Sequence, residues 1–131
     1  MTHTEHPNAL LIQQSWQAVA HSDVDTLKAL WDEDIVWHVT ANNPWRGEHI
    51  GHEAVLEYLA QLGDSGESYN TTLHCVMAND EYAAAICHVS TKRDDRVLEV
   101  GQILLGRFEG RKIKEIWALS LDPQAVERFW A

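Results

Sequence analysis

The sequence has few of the residues that mark a disulfide scaffold or a membrane span. It contains two cysteines and three prolines, and no apolar run approaches the roughly 20 residues that a membrane-spanning helix needs. Cys75 and Cys87 lie in apolar runs without metal-ligand spacing, which favours small core residues over a disulfide or a reactive thiol. Residues 1–6 lack the basic and then apolar pattern of a signal peptide. We therefore expect a cytoplasmic protein with reduced thiols.

Basic residues are also scarce in this chain. Its 10 Lys and Arg stand against 20 Asp and Glu, for a formal net charge of −10. This charge repels phosphate backbones and anionic lipids, so we expect neither nucleic acid nor a membrane surface as a partner. The eight histidines show no spacing typical of a metal site, and no glycine-rich phosphate loop is present. The sequence therefore predicts no metal and no cofactor.

Apolar spacing in the first half of the chain predicts three helices. One begins at Pro7, whose missing N–H suits the first turn of a helix, and a second is capped by Ser22. The strand Ile35–Thr40 follows, and a loop then leads to a third helix near His52–Leu62. The turn residues Gly63–Gly66 end this helix.

The second half of the chain changes to a period of two, which is typical of strands. Four strands are predicted, over residues 69–78, 82–92, 97–108 and 112–121, and Asp122 caps a short closing helix. No internal repeat or linker divides the 131 residues, so we expect one domain over residues 1–131. This order predicts an α+β fold, in which helices cover one face of a curved sheet.

Several segments resemble SnoaL-like proteins of the nuclear transport factor 2-like superfamily, to which ketosteroid isomerases also belong. Ser22–Leu27 and Asp34–Trp37 are similar to the second helix and first strand of that family, and Trp45–Val55 to the entry of its third helix. Arg107–Trp117 resembles its last hairpin. The resemblance implies a cone-shaped α+β barrel with three N-terminal helices packed on a curved, mostly antiparallel sheet around a pocket. It also implies a homodimer, and the predicted outer sheet face with Trp117 is its expected interface.

The catalytic positions of the relatives hold other residues in this chain. The tyrosine and the two aspartates of ketosteroid isomerases fall on Ser15, Val39 and Leu104 by resemblance. Val39 and Leu104 supply neither a base nor a donor, which excludes steroid isomerisation by that apparatus. The His and Asp of SnoaL-type cyclases fall on Leu104 and Ala118, which argues against that chemistry too. Fold alone therefore does not choose the function.

His88 is the first candidate for a catalytic side chain. Alternation along strand 82–92 groups His88 with Ala84, Ile86 and Ser90, and the resemblance turns this face toward the pocket if the preceding turn is one residue longer. Gln102 on the next strand would then be its neighbour. An imidazole there could act as acid or base near neutral pH, and the alternative is a structural histidine bonded across the sheet. We expect His38 on the outer face, unless a register slip turns it inward.

A further set of residues is predicted to line the pocket and contact the substrate: Ser15, Trp37, Val39, Trp45, Tyr58, Leu104, Ala118 and Ser120. This set is mostly apolar with a few polar groups, as in small-molecule sites. It favours a cofactor-free acid–base enzyme, of the isomerase, dehydratase, cyclase or hydrolase type, that acts on a small hydrophobic substrate. Two alternatives stay open: a carrier without turnover, and a protein-association module.

Overall fold

Four helices and six strands make up residues 6–65 and 68–131, which are the part of the chain described by a computed structural model. In chain order they are α1 (Pro7–Ala20), α2 (Val24–Leu30), β1 (Trp31–Val39), β2 (Gly47–Ile50), α3 (His52–Gly63), β3 (Ser68–Ala78), β4 (Tyr82–Arg93), β5 (Arg96–Glu109), β6 (Lys112–Ser120) and α4 (Pro123–Trp130). The predicted α+β class is confirmed. Residues 1–5, where we found no signal-peptide pattern, and Gly66, predicted to help end the third helix, lie outside the described residues.

The six strands form one curved sheet in the order β2-β1-β6-β5-β4-β3. The pair β1 and β6 is parallel, and the other neighbours are antiparallel. Within the described residues β2 and β3 remain at opposite edges, so the sheet does not close into the predicted barrel. The three predicted helices are present as α1, α2 and α3. The prediction that all three are N-terminal is wrong, because α3 follows β1 and β2. The sequence predicts a loop where the short β2 lies, since the four residues of β2 include no β-branched or aromatic side chain except Ile50.

The helix starts follow local capping chemistry. Pro7 occupies the first turn of α1, and the Asp122 carboxylate accepts the N–H of Ala125 at 3.1 Å, as predicted for the closing helix. The cap of α2 is a correction, because Asp23 and not Ser22 accepts the N–H of Thr26, at 3.2 Å. Ser22 has φ of +54°, a left-handed turn between α1 and α2, so it stands one residue too early to cap.

The helices cover one face of the sheet, which we call the inner face. Gly106 of β5 allows this close packing, because a Cβ there would lie 3.3 Å from the Cδ1 of Ile12 on α1. One buried cluster, around Trp31, Ile35 and Ile113, fills the space beneath α1, α2 and α3. A second, smaller cluster lies beneath α4 and consists of Val89, Leu98, Val100, Val126 and Phe129. The opposite face, which we call the outer face, has no helix of the described chain against it.

Candidate functional site

The inner face and the helices enclose a cavity of about 670 Å³, here called the main cavity. This volume is within the range of about 300–1,000 Å³ that small-molecule sites occupy. Helices α1 and α3 form one side, and strands β1, β3, β5 and β6 form the other. The lining includes Ile12, Ser15, Trp16, Val19, Trp37, Tyr58, Leu59, Leu62, Asp64, Tyr69, Thr71, Gln102, Leu104, Gly106 and Ile116.

A second cavity of about 60 Å³, here called the inner compartment, lies beside the first and under α4. Nine residues line it alone: Val39, Ala41, Asn43, Val89, Leu98, Val100, Ala118, Ser120 and Val126. Four further residues line both cavities and form the wall between them, here called the partition: Tyr58, Leu62, Tyr69 and Gln102. The two spaces are therefore separated by the thickness of a few side chains.

The structure distributes most of the predicted pocket residues over these two cavities. In the main cavity it places Ser15, Trp37 and Leu104. In the inner compartment it places Val39, Ala118 and Ser120. Tyr58 and Gln102 stand in the partition. Contact of any of them with a ligand stays a prediction.

Trp45 lies outside the lining of both cavities. Its ring packs edge-on against Tyr58, with centroids 6.3 Å apart, and against Trp130 at 5.1 Å. Its Nε1 donates to Oε1 of Gln61 at 2.9 Å. Trp45 therefore packs against Tyr58 from outside the two cavities, and its contacts connect α3 with α4.

The prediction that His88 faces the pocket beside Gln102 is wrong. Residues directly opposite in an antiparallel pair share a face, and Gln102 stands opposite Cys87 while His88 stands opposite Gly101. His88 is therefore on the outer face, 38% exposed, with its Nε2 3.6 Å from Oε1 of Glu99. The assumed extra residue in the turn before β4 caused the error, because a slip of one residue moves every side chain of a strand to the other face.

Cys87 occupies the place that was predicted for His88. Its Sγ lies 3.4 Å from the backbone carbonyl oxygen of Gln102 and 4.0 Å from Oε1 of the same residue. Burial raises the pKa of the Cys87 thiol to about 11. The thiol is therefore neutral at physiological pH and is a weak donor, in contrast to the acid or base expected there.

Tyr58 is fixed in the partition by aromatic neighbours. Its ring stacks on His49 with centroids 4.7 Å apart and packs against Trp37 at 5.9 Å. Burial, and the nearby Tyr69, raise the pKa of Tyr58 far above its usual value. Burial likewise raises the pKa of Tyr69 to about 12. Both phenols therefore keep their protons at physiological pH and can donate hydrogen bonds.

The polar groups of the partition have few partners in the protein. Neither Tyr58 nor Tyr69 makes a side-chain hydrogen bond to any described residue, and among the same residues the Gln102 side-chain amide has a hydrogen-bond contact only with the Cys87 thiol. The indole Nε1 of Trp37, in the wall of the main cavity, is buried and also lacks a partner among residues 6–65 and 68–131. Burial without a partner is costly for the Trp37 Nε1, and all of these groups can pair with a ligand that accepts hydrogen bonds.

The lining of both cavities is almost free of charged side chains. Asp64, at the exposed end of α3, is the one carboxylate among the described lining residues, and none of these residues is a histidine, lysine or arginine. Tyr69 and Asp64 were missed as lining residues from the sequence. The alternation of Tyr69 with Thr71 on β3 could have identified the former, because both point to the inner face.

Charged groups collect on the outer face, where His38 lies as predicted. Its ring stacks on Trp117 with centroids 5.1 Å apart, and its Nε2 lies 2.8 Å from Oε2 of Glu115. Its Nδ1 lies 3.1 Å from Oε2 of Glu48. Arg107 holds the other oxygen of Glu115 at 2.8 Å. The hydrogen bond with His38, together with Arg107, lowers the pKa of Glu115 below its usual value.

The described residues offer neither a metal cluster nor a membrane-spanning helix. Across residues 6–65 and 68–131, no three side chains of metal-ligating type lie close enough together to hold an ion. In the same residues no helix has both the length and the apolar character needed to cross a bilayer.

Comparison with known proteins adds a family and a fold. The sequence model of the SnoaL-like domain matches residues 12–116, which is most of the chain. No curated protein sequence is similar enough to be matched to it. Several hundred solved chains share its fold.

Three of the similar structures illustrate the range of these relatives. Bal32a, from a soil-derived mobile gene cassette, is 24% identical with a TM-score of 0.88, over 95% of this chain and 97% of its own. A protein from Jannaschia sp. CCS1 described as a SnoaL-like polyketide cyclase is 10% identical, with a TM-score of 0.76 over 97% and 96%. TerC, co-crystallised with polyporic acid, is 12% identical with a TM-score of 0.80, over 95% and 98%. At these identities the likeness concerns the fold alone.

Proposed function

Because this chain belongs to the SnoaL-like domain family, we propose that its main cavity binds a small, uncharged and largely apolar organic molecule. The observation that carries the proposal is the partition, where the hydroxyls of Tyr58 and Tyr69 have no side-chain hydrogen bond to a described residue and the Gln102 amide has one weak contact, with the Cys87 thiol. Both phenols are protonated donors, so the ligand should bring an oxygen acceptor such as a ketone carbonyl.

The charge of the ligand follows from the charge of the lining. An anion would lose its hydration without meeting a cation, since no lysine, arginine or histidine is among the described lining residues. A cation would meet only Asp64, at the exposed rim. An uncharged ligand pays neither cost.

A second candidate function is a cofactor-free enzyme of the isomerase, dehydratase or cyclase type. It is favoured by the buried phenol of Tyr58, because a fixed neutral donor stabilises the negative charge that develops on a carbonyl oxygen during enolisation. Asp64 at the rim is the candidate base for such an enzyme, which is the role that the sequence analysis gave to His88. Similar folds are described as polyketide cyclases, which is consistent with this candidate.

The experiment compares two probes with one ring system, 2-acetonaphthone and 2-naphthoate. We expect the ketone to bind and the carboxylate to bind at least tenfold more weakly, since desolvating its charge is unfavourable here. Tyr58→Phe should weaken the ketone about tenfold through the loss of one hydrogen bond. Quenching of tryptophan fluorescence measures each Kd, with Trp37 in the cavity wall as reporter.

The matched control for this experiment is His88→Ala. His88 is on the outer face, so its loss should leave the Kd within twofold of wild type. Equal binding of ketone and carboxylate, or a loss with His88→Ala as large as that with Tyr58→Phe, would contradict the proposal. Conversion of the bound ketone is measured as deuterium exchange at its α-carbon. Exchange would indicate an enzyme, and its absence would indicate a carrier.

We also propose that the protein forms a homodimer through the outer face, as the family resemblance implies. This face carries half-exposed apolar side chains, including Trp117, Ile103 and Leu119. An obligate interface should be apolar and bury about 2,000 Å² or more in total. Sedimentation at micromolar concentration should give the dimer mass, and a purely monomeric protein would refute the interface. The cytoplasmic location stays a prediction from the sequence.

A further inference from the structure

The inner compartment has the size of a substituent and not of a ligand. Its volume of about 60 Å³ is well below the roughly 150 Å³ of an engineered cavity that takes benzene. It has room for about two or three carbon atoms. Its walls are mainly aliphatic, with Val89, Leu98, Val100 and Val126 on the side closed by α4.

The partition between the two cavities is held by packing more than by hydrogen bonds. Tyr58 is wedged among aromatic rings, but the Gln102 amide has only one weak contact, at 4.0 Å to the Cys87 thiol. Tyr69 makes no side-chain hydrogen bond to a described residue. A change of rotamer at Gln102 or Tyr69 therefore breaks no strong hydrogen bond with a described residue.

We propose that the main cavity and the inner compartment form one site for an elongated, uncharged ketone. Its bulky ring system lies in the main cavity, its carbonyl lies at the partition between Tyr58 and Gln102, and a short alkyl tail enters the inner compartment. This inference rests on the proposed function and adds a ligand class to it. It makes Val100 and Ala118 the residues that set tail length, since both line the inner compartment alone.

The polar group belongs in the middle of such a ligand because of where the donors are. The unpaired phenols and the Gln102 amide stand at the junction, whereas both ends of the site are mainly apolar. A molecule with its polar group at one end would leave these donors at the junction unpaired.

The test uses a series of 2-acylnaphthalenes with acyl chains of increasing length, from acetyl to octanoyl, and measures the Kd of each. In the wild-type protein the affinity should rise about fourfold for each methylene until the tail fills the inner compartment. The optimum should fall at about two or three carbons beyond the carbonyl, and longer tails should bind more weakly.

Two substitutions of opposite sign shift this optimum. Ala118→Val fills the compartment and should move the optimum to a shorter tail, whereas Val100→Ala enlarges it and should move the optimum to a longer one. Ile116→Val is the matched control, because Ile116 lines only the main cavity. It should change all affinities by a similar factor and leave the optimum in place. Thermal melting confirms that each variant is folded.

The outcomes separate this inference from the proposed function. Opposite shifts of the optimum in Ala118→Val and Val100→Ala would support it. Binding of every ketone with the same length profile in all four proteins would overturn the inference and leave the proposed function standing. Absence of binding for the whole series, up to the solubility of each ketone, would overturn both.

Discussion

The inner and outer faces of the sheet differ in the kind of polar group that they carry. Toward the cavities the structure presents neutral donors, namely the phenols of Tyr58 and Tyr69 and the Gln102 amide. On the outer face it presents ionisable groups in contact with one another, and these are His38, Glu48, Glu115, Arg107, His88 and Glu99.

This difference has a physical cause and a practical consequence. A charged side chain in the cavity wall would lose its hydration without a partner, whereas on the outer face it has counter-charges beside it. The histidines that the sequence offers as candidate acids or bases in the sheet therefore lie on the outer face. Apart from Asp64, the candidate site is instead made of groups that carry no charge at neutral pH, and only their place in the fold identifies them.

The largest expected effect that distinguishes the two faces is on stability, and it compares two isoleucines. Ile35→Ala removes a completely buried side chain and should lower the free energy of unfolding by about 2–5 kcal/mol. Ile103→Ala, on the half-exposed outer face, should cost about 1 kcal/mol or less within one protomer. Denaturant unfolding measures both. Equal losses would mean that the outer face is as fully packed in solution as the core.

A smaller effect should appear as a pH dependence of the outer face. The pKa of Glu115 is lowered in the folded protein, so its stabilisation is present above the usual value of 4.5 and is lost as the pH falls through the folded value. Glu115→Gln should therefore cost about 1 kcal/mol near neutral pH and progressively less below pH 4.5.

The control for this pH effect is Glu99→Gln on the same face. Glu99 is 64% exposed and lies 3.6 Å from His88, so its replacement should cost less near neutral pH than the replacement of Glu115. Chemical denaturation from pH 3 to pH 7 gives the three profiles. A constant difference between wild type and Glu115→Gln across this range would contradict the assigned network.

The sequence predicted the strand positions well but did not determine every facing. On β5 the assignment of Gln102 and Leu104 to the inner face agrees with the structure. On β4 the run from Ala83 to Val89 is apolar or small on both faces except at His88, so alternation could not select one. Only the register with β5 decides the facing of β4, and that register is a tertiary property.

The two cavities could be predicted only in part. Resemblance to a family brought Ser15, Val39 and Ala118 to attention as positions of the relatives' catalytic groups, and the structure places all three along the cavities. The division into two spaces by Tyr58, Leu62, Tyr69 and Gln102 was not predictable. It depends on side chains from three separate elements that meet at distances no local pattern encodes.

The parallel pairing of β1 with β6 has a consequence for the order of folding. Every other pairing in the described sheet joins strands that are consecutive in the chain and can form as a local hairpin. The pairing that sets Trp37 beside Ile116 and Val39 beside Ala118 joins opposite halves of the chain, which makes it slow to form. During synthesis, therefore, the part of the cavity walls that β1 and β6 form together assembles only after β6 has emerged from the ribosome. Until then, β1 of the β1–β2 hairpin lacks its second neighbouring strand.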